Sequence, residues 1–547
     1  MSKFTQPVEE KRENEKKKPV ENFMRGISYE YDPIDTLKMV TASSIFGEPQ
    51  YYRDGEFAKA TIKDDKYEVD KLFAPYSILP DKYEGMKTSE LMEKIIDEAL
   101  DFDFKATIEW AAILRNDFCM RLNPQVIMVR AAIHPKRQKF NEDNPGLFSA
   151  IQKQVMKRAD EPTTQLEYYL FKKGKKNNVP NLLKRNWAAK LESCSLYEIH
   201  KYKNSGIGMI DTIRICHANS EIIDELMRNG TLSVDDDNNT WEAKRAAGAS
   251  WTEILSTINM GHMALLRNLR GIFTEIDDAD LCRELMQKLK SGVLTGKQFP
   301  FRYHTAIKMI DRSEVHHKGI IMDALEECID ISCDNMPKLR GKTMCLSDNS
   351  GSAWGSFNSE YGSVTVAEID NLSSLITARN SDEGYIGKFG DKLIITPVSK
   401  RNGILSQCKA ISSTRSSDVG GGTENGIWLF FRDAIDKKEY WDNIFIYSDQ
   451  QAGHGGLYGT NDEMVNYNRR GFGTSKVGWS YVDVAKLIQE YRNKVNRDVN
   501  VFSVQTAGYN NVVVPEYGYR TNLLYGWTGK ELIFADTMIR FWDQKCR

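Results

Sequence analysis

The feature that most constrains this chain is a change of period near Lys342. From about Asp35 to Leu339 apolar residues recur at three- and four-residue spacing, as in Thr88 to Phe102, Phe104 to Arg115 and Pro124 to His134, and strand-like alternation is almost absent. That spacing collects apolar side chains on one stripe of a helix. Beyond Lys342 short apolar runs precede helical stretches: Thr343 to Leu346 before Val364 to Arg379, Lys392 to Pro397 before Ile404 to Ile411, Ile444 to Ser448 before Tyr481 to Val495, and Val499 to Val504 before Lys530 to Trp542. Strands alternating with helices predict a parallel sheet covered on both faces. The chain therefore divides into a serial array of helix pairs and an α/β unit, with the boundary between Asn335 and Gly341. Thr88-Ser89-Glu90-Leu91 and the run around Pro180 read as helix starts.

A length of 547 residues exceeds what one hydrophobic core organises, so more than one folded unit is expected. Residues 1–22, rich in Lys and Glu and without an apolar run, are expected to form a disordered charged tail; 23–338 the helical unit; 339–547 the α/β unit. No stretch of 18 apolar residues occurs. The nine cysteines are scattered and odd in number, and no Cys-x-x-Cys pair occurs, which fits a reduced, cytoplasmic setting. Cys328 and Cys333 come nearest to a ligand pair, but no second pair follows at finger spacing. Lys and Arg number 74 against 76 Asp and Glu, a net charge of −2, so any attraction for nucleic acid must come from a local patch.

Two constellations carry chemistry. The first strand of the α/β unit runs into Asp348-Asn349-Ser350-Gly351-Ser352, a later glycine-led loop presents Thr423, and Asp449 follows the strand ending at Ser448. Asp348, Ser350, Ser352, Thr423 and Asp449 all offer hard oxygen at the carboxyl edge of a sheet, where such folds place ligands. Mg²⁺ or another divalent cation suits two acids, neutral hydroxyls and retained water. Capping and Asx-turn roles for the same acids remain open. The set resembles the metal-ion-dependent adhesion site of von Willebrand factor A domains, whose elements it matches in order.

The second constellation lies between Lys172 and His217. Lys172, Lys173, Lys175, Lys176, Lys184, Arg185, Lys190, Lys201, Lys203 and Arg214 are interleaved with Tyr168, Tyr169, Phe171, Trp187, Tyr197 and Tyr202. Cations that neutralise phosphates, beside rings that stack unpaired bases, suit single-stranded nucleic acid. The competing meaning is a solvated helix face.

Lys201-Tyr202-Lys203, then Asp211 to His217, then Ala264 to Leu269, then Lys297-Gln298-Phe299-Pro300-Phe301-Arg302, all ahead of the metal motif, resemble the Ro autoantigen family in a bacterial or phage-type form. The likeness covers nearly the whole chain after the tail, with gaps in the first 150 residues. It implies a ring-like solenoid of HEAT-type helical repeats, the TROVE module, followed by a doubly wound von Willebrand A-like domain of Rossmann type. It also implies a cytoplasmic monomer that binds small non-coding, Y-like RNA and the single-stranded 3′ ends of misfolded RNA for quality control, in bacteria sometimes beside an exoribonuclease. By motif, Lys184, Arg185, Lys201, Lys203, Arg214 and His217 become candidates for RNA contact, with Arg267, Lys297 and Arg302 near the hole of the ring. Met209 and Ile210 stand where animal members carry a His. Arg267 in its Leu-rich run and His217 as a buried imidazole retain structural readings.

No catalyst is expected. In Gly351-Ser352-Ala353-Trp354-Gly355 the serine follows the glycine directly, which is wrong for a nucleophile elbow, and Walker-type spacing is missing. The alternative to RNA binding is a helical adaptor that grips a protein partner's acid through the Mg²⁺ site.

Overall fold

The computed structural model describes residues 19–21, 27–29, 32–42, 51–53, 76–77, 81–83, 85–174, 178–204, 208–235, 239–354, 356–359, 362–413, 416–420, 424–450, 473–476, 479–482, 484–506, 511–512, 519–527 and 529–545. From Thr88 to Ser332 the described chain is helical, and local signals explain where helices begin. Asp103 ends the helix Thr88–Phe102 and caps the next, Phe104–Asn116, its carboxylate accepting the Ala106 amide at 2.9 Å. One residue thus turns the chain and starts a second helix. Ser195 and Ser250 form reciprocal capping boxes with Glu198 and Glu253. Pro180 stands at the cap of Asn181–Glu192, one position earlier than a first-turn role.

The stripes meet in one apolar core that continues into the α/β unit. Buried amides join successive helices: Gln165 donates to Gln125 at 2.7 Å and accepts from Gln152 at 2.8 Å and from the Trp187 indole at 2.7 Å. Each polar group in that ladder has a partner, which offsets the cost of burying it. The helices that matter below are α1 (Pro33–Thr41), α2 (Asn181–Glu192), α3 (Leu196–Tyr202), α4 (Met209–Cys216), α5 (His262–Glu275), α6 (Pro300–Asp311) and α7 (Lys318–Ser332).

The second unit is a six-stranded sheet of β1 (Leu339–Asp348), β2 (Ser381–Phe389), β3 (Leu393–Pro397), β4 (Asn443–Ser448), β5 (Asn500–Gln505) and β6 (Thr521–Tyr525). The spatial order is β3-β2-β1-β4-β5-β6, with every pair parallel except β2 and β3. This is the doubly wound order, reversing direction between β1 and β4. Helices α8 (Val366–Arg379) and α9 (Glu531–Lys545) pack on one face with the larger core, while Glu424–Asp436 and Val484–Lys494 close the other.

The sheet differs from the sequence expectation in three ways. β2 and β6 are additional, and β3 is antiparallel because only residues 390–392 separate it from β2, too few for a parallel crossover. β2 opens on Ser-Asp-Glu-Gly, which hides its apolar half from a pattern search. Strand pairing also reaches into the first 80 residues: 51–53 pairs with 356–359 and 76–77 with 511–512, both antiparallel. Residues 19–21 pair with 27–29, and the rest of the expected tail, 1–18 and 22, lies outside the described residues.

Both ends of the helical array rest on the α/β unit. At its end, Lys308 of α6 pairs with Glu368 of α8 at 2.7 Å, and Asp330 of α7 accepts the Ile404 amide at 3.0 Å and faces Arg379 at 3.3 Å. At its start, Thr41 of α1 accepts the Trp110 indole at 2.8 Å and, through its carbonyl, the Asn123 amide at 2.9 Å. The same helix places the Lys38 ammonium 4.2 Å from the Phe541 ring of α9. Chain start and chain end are therefore held together, giving the ring-like solenoid joined to an α/β domain.

Trp527 is buried in this junction, edge-on to Phe301 at 4.1 Å and donating to the Ser373 hydroxyl at 2.7 Å. Trp527→Ala should cost about 3–5 kcal/mol from the cavity it leaves. Trp527→Phe keeps a ring and loses mainly the indole bond, about 1 kcal/mol. Urea unfolding followed by tryptophan fluorescence and by circular dichroism should show the first midpoint fall well below the second; equal midpoints would count against this junction.

Candidate metal centre and basic surface

The reversal between β1 and β4 brings two carboxylates to the carboxyl edge of the sheet. Ser347 and Tyr447 are paired in register, so Asp348 and Ser448 leave the sheet side by side, with Asp449 next in line. Ser448 donates its hydroxyl to one Asp348 oxygen at 2.5 Å, and the Ser350 amide donates to the other at 2.9 Å. The Ser350 and Ser352 hydroxyls lie 3.2 Å apart. Asp348, Ser350 and Asp449 are fully buried.

The loop is held from several sides. The Asn349 amide donates to the Phe389 carbonyl at the end of β2 (2.8 Å), and its side chain exchanges hydrogen bonds with Asn371 of α8 at 2.9 and 3.1 Å. Trp354 donates its indole to the Asn349 carbonyl at 3.2 Å. On the β4 side, Gln450 adopts a left-handed backbone (φ 50°), its amide bonds Ser448 at 2.8 Å, and Gln505 donates to the Asp449 carbonyl at 2.8 Å. A non-glycine residue in that conformation costs energy, and such strain concentrates at functional loops.

Thr423 lies outside the described residues. The flanks of its loop are placed: Gly420 has φ 85°, and a Cβ there would sit 2.2 Å from the Asp391 carboxylate, so glycine is required where this loop crosses the β2–β3 hairpin. The Gly426 amide donates to the Gly390 carbonyl at 3.2 Å.

The electrostatics of Asp348 follow from its burial. Desolvation pushes its carboxyl up, and Asp449 pushes the same way, while the Ser448 hydroxyl and the Ser350 amide and hydroxyl oppose them. Two dry acids side by side, with hydroxyls at hand, form a donor set that fits a hard divalent cation: Asp348, Ser350, Ser352 and Asp449 would hold it. Among the described residues no group of three or more His, Cys, Asp or Glu is arranged to hold a metal, so the remaining positions would fall to hydroxyls and water. Cys328 and Cys333 are buried free thiols, pushed up in pKa by burial.

Sequence reasoning missed Asp370. It lies fully buried on α8, and Asp348 and Asp449 are the charged groups that act on it. The signal was a polar stripe, Asp370, Ser374 and Thr377, at helical spacing on an otherwise apolar segment.

The basic candidates separate into two groups. On α2, Lys184 is half-buried and Arg185 exposed; on α4, Arg214 is exposed, and Lys184 lies near enough to act on the Cys216 thiol at the end of α4. His217 does not share Arg214's helical face: it ends α4 in a left-handed conformation (φ 57°) and is exposed, which removes the buried-imidazole reading. Lys201 on α3 donates to the Tyr197 hydroxyl at 3.1 Å and lies over the Tyr197 and Tyr202 rings, and Lys203 approaches His200 and Thr231 at 3.4 and 3.5 Å. The second group is Arg267 on α5, Lys297 just before α6 and Arg302 within it.

Among the described residues, no ion pair joins Lys184, Arg185, Lys201, Arg214, Arg267 or Lys297 to an acid. Other cations of the stretch are committed: Lys172 pairs with Glu93 at 2.5 Å and Lys190 with Glu198 at 3.9 Å. Lys175 and Lys176 lie outside the described residues. Phe171 is 72% exposed and Tyr197 38%, so two rings near the first group face solvent.

No protein-family model matches this sequence, and no curated protein does. The structure is similar to the crystal structure of the Deinococcus radiodurans Ro (RSR) protein, with a TM-score of 0.61 over 93% of this chain and 100% of that one, at 13% identity. The two proteins share the fold. No helix among the described residues is long and apolar enough to cross a membrane.

Metal uptake must displace the proton that Asp348 holds with raised affinity, so it should weaken as pH falls from 8 towards 5. Isothermal titration of Mg²⁺ across that range should show falling affinity with proton release, and Asp348→Ala should abolish the signal. Uptake by the variant equal to that of the original protein would exclude this centre.

Proposed function

We propose that this chain is an RNA-binding protein that captures single-stranded segments of structured non-coding RNA. The observation that carries the reading is that Lys184, Arg185, Lys201 and Arg214 on α2, α3 and α4 form no ion pair among the described residues, with Phe171 and Tyr197 exposed. A protein near electrical neutrality that leaves cations uncompensated on neighbouring helices presents a local positive field, which single-stranded nucleic acid requires. The fold shared with the Ro protein adds support, because its sequence likeness already pointed to RNA.

In this reading Lys184, Arg185, Lys203 and Arg214 neutralise phosphates, and His217 supplies a further donor at the end of α4. Lys201, laid over two tyrosine rings, holds a platform on which a base stacks. Arg267, Lys297 and Arg302 extend the path along α5 and α6. Y-like RNA, misfolded RNA 3′ ends, an exoribonuclease partner, a monomeric state and a cytoplasmic setting belong to the same proposal. The protein acts by binding and not by catalysis, with the divalent ion structural.

Filter binding with a hairpin RNA bearing a single-stranded 3′ tail tests this. Affinity should fall steeply with salt, and the double variant Lys201→Ala, Arg214→Ala should weaken it and reduce the slope of log affinity against log salt by roughly 1 to 2. Negligible retention at low salt would favour the adaptor reading.

A further inference from the structure

Helix α8 brings to the metal centre an acid that the Asp-x-Ser-x-Ser pattern does not include. Neither carboxylate oxygen of Asp370 makes a well-formed hydrogen bond among the described residues, although the side chain is fully buried; the Thr506 hydroxyl is close enough to act on it as a donor. Its neighbours are the buried Thr506 hydroxyl, which as a donor favours the ionised form, and the acids Asp348 and Asp449, which oppose it. Ser374, one turn along α8, is also buried with its hydroxyl unpartnered. The buried cation on β2, Lys388, is directed elsewhere: it donates to the Ile411 carbonyl at 3.1 Å and responds to Asp418.

A carboxylate out of water persists in a fold when something compensates it. The register of α8 is fixed by Asn371, whose amide locks onto Asn349 and Ser412, so Asp370 has no freedom to turn away. Among the described residues no cation stands beside it, so a charge bound at the centre is what would compensate its ionised form. Mg²⁺ keeps part of its water shell, and outer carboxylates accept hydrogen bonds from such waters.

We propose that Asp370 is a third carboxylate of the centre, acting on the divalent ion through its water shell, and that it makes the centre retain its metal while rejecting an acidic sixth ligand. The inference rests on Asp348, Ser350, Ser352 and Asp449 being metal ligands. Two carboxylates neutralise a dication; a third leaves the assembly negative. A partner's carboxylate would then add like charge in a dry site, where repulsion is strong. Water or a hydroxyl oxygen meets no such penalty. Asp370 is thus a positioning and specificity residue, and it turns the centre away from gripping a protein acid.

The test uses the full chain with Asp370→Asn and Asp348→Asn. Calorimetry should show Mg²⁺ binding about 10- to 100-fold weaker for Asp370→Asn and lost for Asp348→Asn. The metal-free Asp370→Asn protein should melt higher than the original protein and gain less from Mg²⁺, a pattern that simple loss of packing would not produce. With Mn²⁺ in the original protein, millimolar acetate should leave the water-proton relaxation enhancement unchanged. Unchanged Mg²⁺ affinity in Asp370→Asn, or acetate displacing water from the original protein's Mn²⁺, would overturn the proposal. The acetate arm decides even if Asp370→Asn does not fold. Retained binding in Asp348→Asn would instead remove the underlying metal reading.

Discussion

The reversal of strand order between β1 and β4 is the constraint on which the rest depends. Parallel strands deliver their carboxyl ends to one edge, and at the reversal the following connections leave in opposite directions, opening a crevice. Asp348 and Asp449 stand at that crevice because their strands are neighbours in register, not because they are near in sequence. Burial then gives each acid a character it would not have in water. The same geometry that makes the carboxylates costly to ionise would favour a dication that paired with both.

Much of this was legible before the structure. Helical spacing located Thr88–Phe102 and its successors closely, because a stripe of apolar residues needs only local order to be recognised. The order Asp348, Ser350, Ser352, then Asp449 was legible because the motif is a loop whose donors alternate. β2 was not legible: its polar opening resembles a turn, and its place in the sheet comes from pairing with β1 across 42 positions, from Leu339 to Ser381. Asp370 escaped for a related reason. An acid on a helix reads as a solvent-facing residue, and only the tertiary packing of α8 on the sheet puts it beside Asp348.

The cations show the same division between local and tertiary information. Sequence counts Lys172, Lys190, Lys184 and Arg214 alike, but folding pairs the first two with Glu93 and Glu198 and, among the described residues, leaves the others outside any ion pair. A net charge near zero therefore conceals an uneven distribution. Surface ion pairs contribute little to stability, so leaving Lys184 and Arg214 outside any ion pair among the described residues costs the fold little and leaves cations able to attract phosphate.

Helix α8 joins the two halves of this account. Within it, Glu368 completes the capping box with Thr365 and also holds Lys308 of the helical array; Asn371 clamps the loop after Asp348; Ser373 receives Trp527; Thr377 bonds the Tyr447 hydroxyl of β4 at 2.7 Å; and Arg379 faces Asp330 of α7. A helix with so many fixed partners cannot shift at one end without disturbing the other. The Asp348 loop and the end of the helical array are thus positioned by one rigid element.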